Sequence, residues 1–185
     1  MKVRIDKQVK HAVPEGMIGL FFEDINYAAD GGLYAEMIEN RSFEFYKAGG
    51  DWNDYYAEYD GGYAWRACAG LESGCNLRLV TGSPHSEINP HYMRVTTTGE
   101  CSGMCNKAYS GLYVEKGKSY RVTFWARKAH YEGDFKVEVV KDGKVYGKVI
   151  IGGDAGTEET YNFWRKYTGT LTATETVKGA EIALL

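Results

Sequence analysis

The sequence predicts a mainly β fold, a jelly-roll β-sandwich preceded by a short βα unit. From about residue 63 onward, apolar residues recur with a period of two and no helical pattern interrupts the series, as expected for strands that bury one face. Glycine and aromatic residues are both abundant, with 23 Gly, 15 Tyr, 7 Phe and 4 Trp among 185 residues. This composition suits short strands joined by tight turns, because rings pack well on a pleated surface and glycine permits sharp turns.

The first 50 residues predict a separate βα unit. Residues 17–22 form a continuous apolar run, which is typical of a parallel strand covered on both faces. Residues 33–41 carry apolar side chains at helical spacing and predict a helix. A parallel strand needs neighbouring strands. We therefore expect residues 1–50 to be an incomplete piece of a larger domain and residues 51–185 to form the sandwich.

Seven or eight strands are predicted in the second part. The clearest spans residues 119–127, where apolar side chains alternate with a polar face that carries Trp125 and Arg127. The pair Asp142-Gly143 lies between two strand-like runs and predicts a hairpin with a type I′ turn. The other strands are predicted at residues 76–80, 92–98, 135–140, 145–151, 163–172 and 180–185.

The chain stops inside the last predicted strand, at Leu184 and Leu185. A strand at that position would leave an edge and an apolar face unprotected. We therefore expect the sequence to be part of a longer protein that is cut within the sandwich.

Composition and charge exclude several classes of protein. The formal net charge is −3, so no overall positive field attracts nucleic acid. No apolar stretch approaches the ~18 residues of a membrane-spanning helix. Charged residues occupy the N-terminal positions where a signal peptide would have its apolar core, which favours the cytoplasm.

The four cysteines are expected to be structural thiols. Cys68 and Cys75 enclose six residues, and Cys101 and Cys105 enclose three; neither spacing matches a zinc finger or ribbon. Thiols stay reduced in the cytoplasm. Disulfides and a metal site remain the alternatives.

One segment carries a specific resemblance. Residues 19–45, GLFFEDINYAADGGLYAEMIENRSFEF, resemble the start of the catalytic TIM barrel in α-L-arabinofuranosidases of glycoside hydrolase family 51. Residues 3–9 resemble the strand that such enzymes donate to their C-terminal sandwich. The runs at 89–95 (NPHYMRV), 111–114 (GLYV) and 120–127 (YRVTFWAR) are similar to the carbohydrate-binding-type jelly roll that one branch of the family inserts after the first barrel unit.

The resemblance implies a parent enzyme that is a retaining glycosidase without a cofactor. It would release terminal α-L-arabinofuranosyl groups from arabinoxylan or arabinan, a step of hemicellulose degradation and arabinose metabolism. Its two catalytic glutamates would lie on later barrel strands, so we assign no catalytic residue here and expect these 185 residues to be inactive. The rest of the barrel is an expected partner. A structural calcium ion is common in such jelly rolls, but the sequence assigns it no ligands.

Two groups of residues are candidates for contact with sugar. By resemblance, Glu23 and Asn26 would bind the arabinofuranosyl unit; Glu23 also lies just past a buried strand, where barrel enzymes gather their active-site groups. In the sandwich, a flat ring can cover the apolar C–H face of a sugar while polar groups take its hydroxyls. Trp125 is the first candidate for this role, because it lies on the polar face of its strand. The others are Trp52, Tyr131 and Trp164.

Two alternatives to an enzyme fragment remain open. The sandwich could be an independent module that binds xylan or arabinan. It could also be a structural unit that braces the barrel or an interface without a ligand. In that second case we expect Trp125 to be buried, because Trp is more often a core residue than a binding platform.

Overall fold

The computed structural model describes residues 36–44, 62–68, 75–97, 103–129, 131, 133–152 and 163–185. Within these residues there are ten strands and no α-helix. The strands are β1 Trp65–Ala67, β2 Cys75–Val80, β3 Tyr92–Thr97, β4 Met104–Asn106, β5 Leu112–Val114, β6 Ser119–Ala126, β7 Phe135–Lys141, β8 Lys144–Ile151, β9 Arg165–Thr172 and β10 Val177–Leu184.

The strands form one large antiparallel sheet and two ribbons. The sheet has the order β1-β4-β10-β7-β8, with β5 paired to the first half of β10. The ribbons are β2–β3 and β6–β9. The apolar face of the β6–β9 ribbon packs on the sheet. Val122 of β6 packs against two groups of buried side chains, one that contains Val139 of β7 and one that contains Val137 of β7. This layered arrangement confirms the predicted mainly β sandwich.

The core alternates along the strands as the sequence predicts. Tyr120, Val122 and Phe124 point inward from β6, while Trp125 lies on its exposed face. The largest fully buried side chains come from four different strands, and they are Leu171, Val114, Val137 and Asn106. A core shared in this way ties the ribbon and the sheet into one cooperative unit.

The hairpin predicted at Asp142-Gly143 is confirmed. It joins β7 to β8, and both residues have positive φ, 50° and 76°, as a type I′ turn requires. The strands predicted around residues 76–80, 92–98, 119–127 and 163–172 are also present. Strands β1, β4 and β5 were not predicted as strands, because three residues each are too few to display a period of two.

The last strand is not an edge strand. β10 has β7 on one side and both β4 and β5 on the other. Leu185 continues the pairing with Lys136 through two backbone hydrogen bonds of 2.8 Å. Contrary to the expectation from the sequence, this strand is protected on both edges, because its partners come from earlier parts of the chain.

The helix predicted over residues 33–41 is absent from its described part. Residues 36–44 form turns, with positive φ at Asn40 (51°) and Phe43 (60°). Met37 packs against the core of the sandwich, so tertiary contacts override the helical pattern. The predicted strands at 3–9 and 17–22 and the proposed boundary at residue 50 lie outside the described residues.

The Asn106 side chain, on β4, connects the turns of residues 36–44 to the sheet through hydrogen bonds. This side chain is fully buried. The Nδ2 donates to the carbonyl of Glu39 at 2.9 Å, and Oδ1 accepts from the Ala108 N–H at 2.8 Å. The neighbouring Asn40 donates to the Tyr63 carbonyl at 2.8 Å. One buried amide thus pairs backbone groups of two segments that are far apart in sequence.

Replacing Asn106 with alanine is expected to lower the free energy of unfolding by about 2–4 kcal/mol, because two hydrogen bonds are lost and buried backbone groups are left unpaired. Urea unfolding followed by fluorescence measures this change. Asn76, which is exposed on β2, provides the control, and Asn76→Ala is expected to change stability by less than about 0.5 kcal/mol. A similar small effect at Asn106 would contradict the anchoring role.

The structure joins Cys68 and Cys105 in a disulfide, which corrects the expectation that all the cysteines are thiols. Cys68 follows β1 and Cys105 lies in β4, and the antiparallel pairing of these strands brings the two Cα atoms to 5.0 Å. Cys75 is a free, buried thiol that donates to the Gly103 carbonyl, and burial raises its pKa. Cys101 lies outside the described residues.

Candidate functional site

A cluster of rings lies where one end of the β6–β9 ribbon meets the loop of residues 81–91. We refer to it as the Trp125 cluster, and its members are His85, Tyr92, Trp125, Arg127 and Trp164. Trp125 stands on the outer face of β6 and is 46% exposed. The His85 ring stacks on it with 3.9 Å between centroids and 24° between planes. This stack restrains the indole while a large part of it stays open to solvent.

Trp164 forms the second ring wall of the cluster. It directly precedes β9, and its Nε1 donates to the Ser83 carbonyl at 3.1 Å. Its ring meets Tyr92 edge-on, with 5.0 Å between centroids and 87° between planes, a favourable arrangement for two aromatic quadrupoles. These contacts connect the start of β9 to the loop and to β3.

Arg127 holds the inner side of the cluster together. Its guanidinium carbon lies 4.9 Å from the centroid of Tyr92 and 5.2 Å from that of Trp164, within the range of a cation–π contact. It donates to the Tyr92 hydroxyl and, at 3.2 Å, to the Gly82 carbonyl. The Tyr92 hydroxyl donates to the same carbonyl at 2.6 Å. The loop is thereby fixed before any ligand arrives, which lowers the entropy cost of binding.

The described part of the molecule also contains a cavity of about 530 Å³ between β6, the main sheet and residues 36–38. Among the described residues that line it, most are aliphatic and Tyr120 is the single aromatic side chain. Such walls suit an apolar ligand, whereas a sugar needs a flat ring beside hydrogen-bonding groups. The Trp125 cluster therefore fits a carbohydrate better than the cavity does.

The structure brings together two of the predicted sugar-contact residues, Trp125 and Trp164. The His85 ring contacts both of them, with 3.9 Å between its centroid and that of Trp125 and 5.8 Å to that of Trp164. Glu23, Asn26 and Trp52 lie outside the described residues.

Tyr131 belongs to a different group of rings, and the centroid of its ring lies 5.8 Å from that of Phe135. Its hydroxyl donates to the Asp134 carbonyl at 2.7 Å. Burial and the nearby Asp134 carboxylate raise its pKa. The Lys128 Nζ lies 5.2 Å from the centroid of the Tyr131 ring. Burial lowers the pKa of this lysine. These contacts hold the tyrosine in the loop between β6 and β7, and its contact with sugar stays a prediction.

His85 and Tyr92 were not among the residues predicted to contact sugar. Tyr92 opens a strand and is buried, and His85 lies in a loop, so neither carries a local signal of function. The signal that existed was the alternation in β6, which places Trp125 and Arg127 on the same side.

Two other kinds of functional feature are absent from the described residues. Among them, no three His, Cys, Asp or Glu side chains are close enough together to hold a metal ion. Nor does this part of the chain contain a helix of the length and apolarity that a membrane crossing requires.

An antiparallel sandwich that displays a fixed ring cluster at one end resembles the β-sandwich modules that bind carbohydrate. Comparison with known proteins gives the same class. The family model described as "Carbohydrate binding domain" matches residues 35–184, and this chain belongs to that family.

Individual relatives are arabinofuranosidases. The chain is 32% identical over 184 residues to the extracellular exo-α-L-arabinofuranosidase of Streptomyces chartreusis, a match that covers 98% of this chain and 20% of that protein. It is 32% identical over 147 residues to α-L-arabinofuranosidase 2 of Arabidopsis thaliana, covering 75% of this chain and 20% of the plant protein. The chain thus spans about a fifth of the length of these curated relatives.

A solved structure shares the fold. The arabinose-bound MgGH51 α-L-arabinofuranosidase superposes with a TM-score of 0.70 at 22% identity, over 96% of this chain and 27% of that one. The predicted resemblance is confirmed: this chain is homologous to the N-terminal part of arabinofuranosidases and contains their carbohydrate-binding domain.

Proposed function

We propose that this chain binds an arabinose-bearing plant polysaccharide, arabinoxylan or arabinan, through the Trp125 cluster. The observation that carries this proposal is that the Trp125 ring is 46% exposed while the His85 ring stacked on it at 3.9 Å restrains it. An exposed ring that is held in one orientation is suited to stacking against a sugar. Family membership supports a carbohydrate as the ligand.

The contacts of the cluster define how a sugar would be held. The apolar C–H face of one sugar ring would lie on the open surface of Trp125, which gains both hydrophobic burial and dispersion. The His85 imidazole stacks on the indole and keeps the platform in one orientation. Imidazole nitrogens can exchange hydrogen bonds with sugar hydroxyls.

The same proposal includes the activity of the whole protein, which is supported by the arabinofuranosidase relatives of this chain. It would be a retaining, cofactor-independent α-L-arabinofuranosidase in which Glu23 and Asn26 contact the arabinofuranosyl group. The remainder of the barrel would supply the two catalytic glutamates. The module would then hold the polymer near the active site and raise its local concentration, as linked binding sites do.

A fluorescence titration tests the binding proposal. Soluble neutral arabinoxylan added to the 185-residue chain is expected to shift and quench tryptophan emission in a saturable way, because a sugar on Trp125 displaces water from an exposed indole. Dextran, a polymer of different linkage and shape, is the control and should leave the emission unchanged. Arabinan is titrated in the same way, and the absence of a shift with both polymers at millimolar sugar concentration would refute the proposal.

A further inference from the structure

The outer face of the β6–β9 ribbon forms a flat polar track that leads away from Trp125. Cross-strand hydrogen bonds join hydroxyl pairs along it, at 3.1 Å between Ser119 and Thr172 and at 3.4 Å between Thr123 and Thr168. Every outward-facing side chain of the two strands is exposed, and these are Ser119, Arg121, Thr123, Trp125, Lys166, Thr168, Thr170 and Thr172. The ribbon therefore presents an array of hydroxyls that ends in the aromatic platform.

The track is positively charged although the chain as a whole is negative. β6 and β9 contain Arg121, Arg165 and Lys166 but no Asp or Glu, whereas the full sequence carries a net charge of −3. Among the described residues, no carboxylate lies within ion-pair distance of Arg121 or Lys166. Glu36 lines the same cavity as Arg121. Its Oε2 lies 3.7 Å from the Nε of Arg41, so this carboxylate pairs with Arg41.

Strand register fixes where the two cations lie. Lys166 is the direct cross-strand partner of Trp125, so their Cβ atoms are about 5 Å apart. Arg121 precedes Trp125 by four residues on the same face of β6, about 13 Å along the strand. Lys166 is therefore beside the Trp125 platform, and Arg121 lies farther along the ribbon, among the hydroxyl pairs.

We propose that this track selects an acidic polysaccharide, a xylan-type chain that carries uronic acid groups. One sugar would stack on Trp125, with a uronate carboxylate at Lys166. The chain would follow the hydroxyl pairs so that a second carboxylate reaches Arg121. Charge complementarity supports this occupant, as does the absence of an ion pair to Arg121 or Lys166 among the described residues. The inference rests on the proposed function, because it assumes that Trp125 is the platform.

A pair of matched polymers tests the selection. A uronic-acid-bearing arabinoxylan and the same polymer after chemical reduction of its carboxyl groups differ only in carrying a carboxylate or a neutral hydroxymethyl group at those positions. We expect the 185-residue chain to bind the acidic form about tenfold more tightly at low salt, since two exposed charge contacts contribute roughly three- to fivefold each. The variant Arg121→Gln/Lys166→Gln should lose this preference and keep its affinity for the reduced polymer. Raising the ionic strength should reduce the preference as well.

The control variant removes two exposed charges elsewhere, as Lys116→Gln/Lys178→Gln, and should keep the preference. Equal affinity of the native chain for the two polymers would overturn the inference while leaving the proposed function intact. A preference that survives in Arg121→Gln/Lys166→Gln would also overturn it. Equal binding of dextran sulfate would do so too, since it would show nonspecific attraction of polyanions. If neither arabinoxylan binds, the inference fails, and the proposed function fails with it if arabinan does not bind either.

Discussion

Replacing Trp125 with alanine is expected to weaken the binding of neutral arabinoxylan at least ~30-fold, because central aromatic side chains of a binding site typically contribute 2 kcal/mol or more. The free energy of unfolding should change by less than about 1 kcal/mol, since the ring lies on the exposed face of β6. Affinity electrophoresis in gels that contain arabinoxylan measures the first quantity, and urea unfolding measures the second.

Tyr113 supplies a matched control for this substitution. It is an aromatic residue on β5 with 51% of its surface exposed, but it lies on the main sheet rather than on the ribbon. Tyr113→Ala should migrate like the unmodified chain in the same gels. The platform assignment would be wrong if Trp125→Ala kept its affinity, and a large loss of stability would instead support a structural role for the ring.

Local patterns in the sequence were sufficient to predict the outer face of β6. The alternation of Tyr120, Val122 and Phe124 with polar residues reflects a strand that buries one side, so the exposure of Trp125 follows from its position. The hairpin at Asp142 is equally local, since two residues of positive φ set the turn. Features of this kind depend on a few neighbouring residues, which is why they are visible in a single sequence.

The rest of the site depends on contacts that no local pattern encodes. His85 reaches Trp125 from a loop forty positions earlier in the chain, and Trp164 is fixed by a hydrogen bond to Ser83. The turns of residues 36–44 show the same limit. Their sequence favours a helix, but the buried Asn106 side chain and the core contact of Met37 hold them in a different conformation.

Removing the disulfide with Cys68→Ala/Cys105→Ala is expected to lower the free energy of unfolding by about 4 kcal/mol in the chain-entropy model, because the bond closes a loop with a sequence separation of 37. For a chain of this length, the corresponding decrease in Tm is about 10 °C. Thermal unfolding with and without dithiothreitol measures the effect. Reductant should destabilise the unmodified chain and leave the double variant unchanged.

Peptide mapping under nonreducing conditions provides an independent test of the pairing, since it should recover one peptide pair that joins Cys68 to Cys105. Cys75 should resist alkylation in the native protein, because it is buried and its raised pKa disfavours the thiolate. If both Cys68 and Cys105 react with iodoacetamide in the oxidised native chain, the pairing is wrong. Disulfides persist mainly in oxidising compartments, so confirmation would favour export of the protein over the cytoplasmic location predicted from its N-terminus.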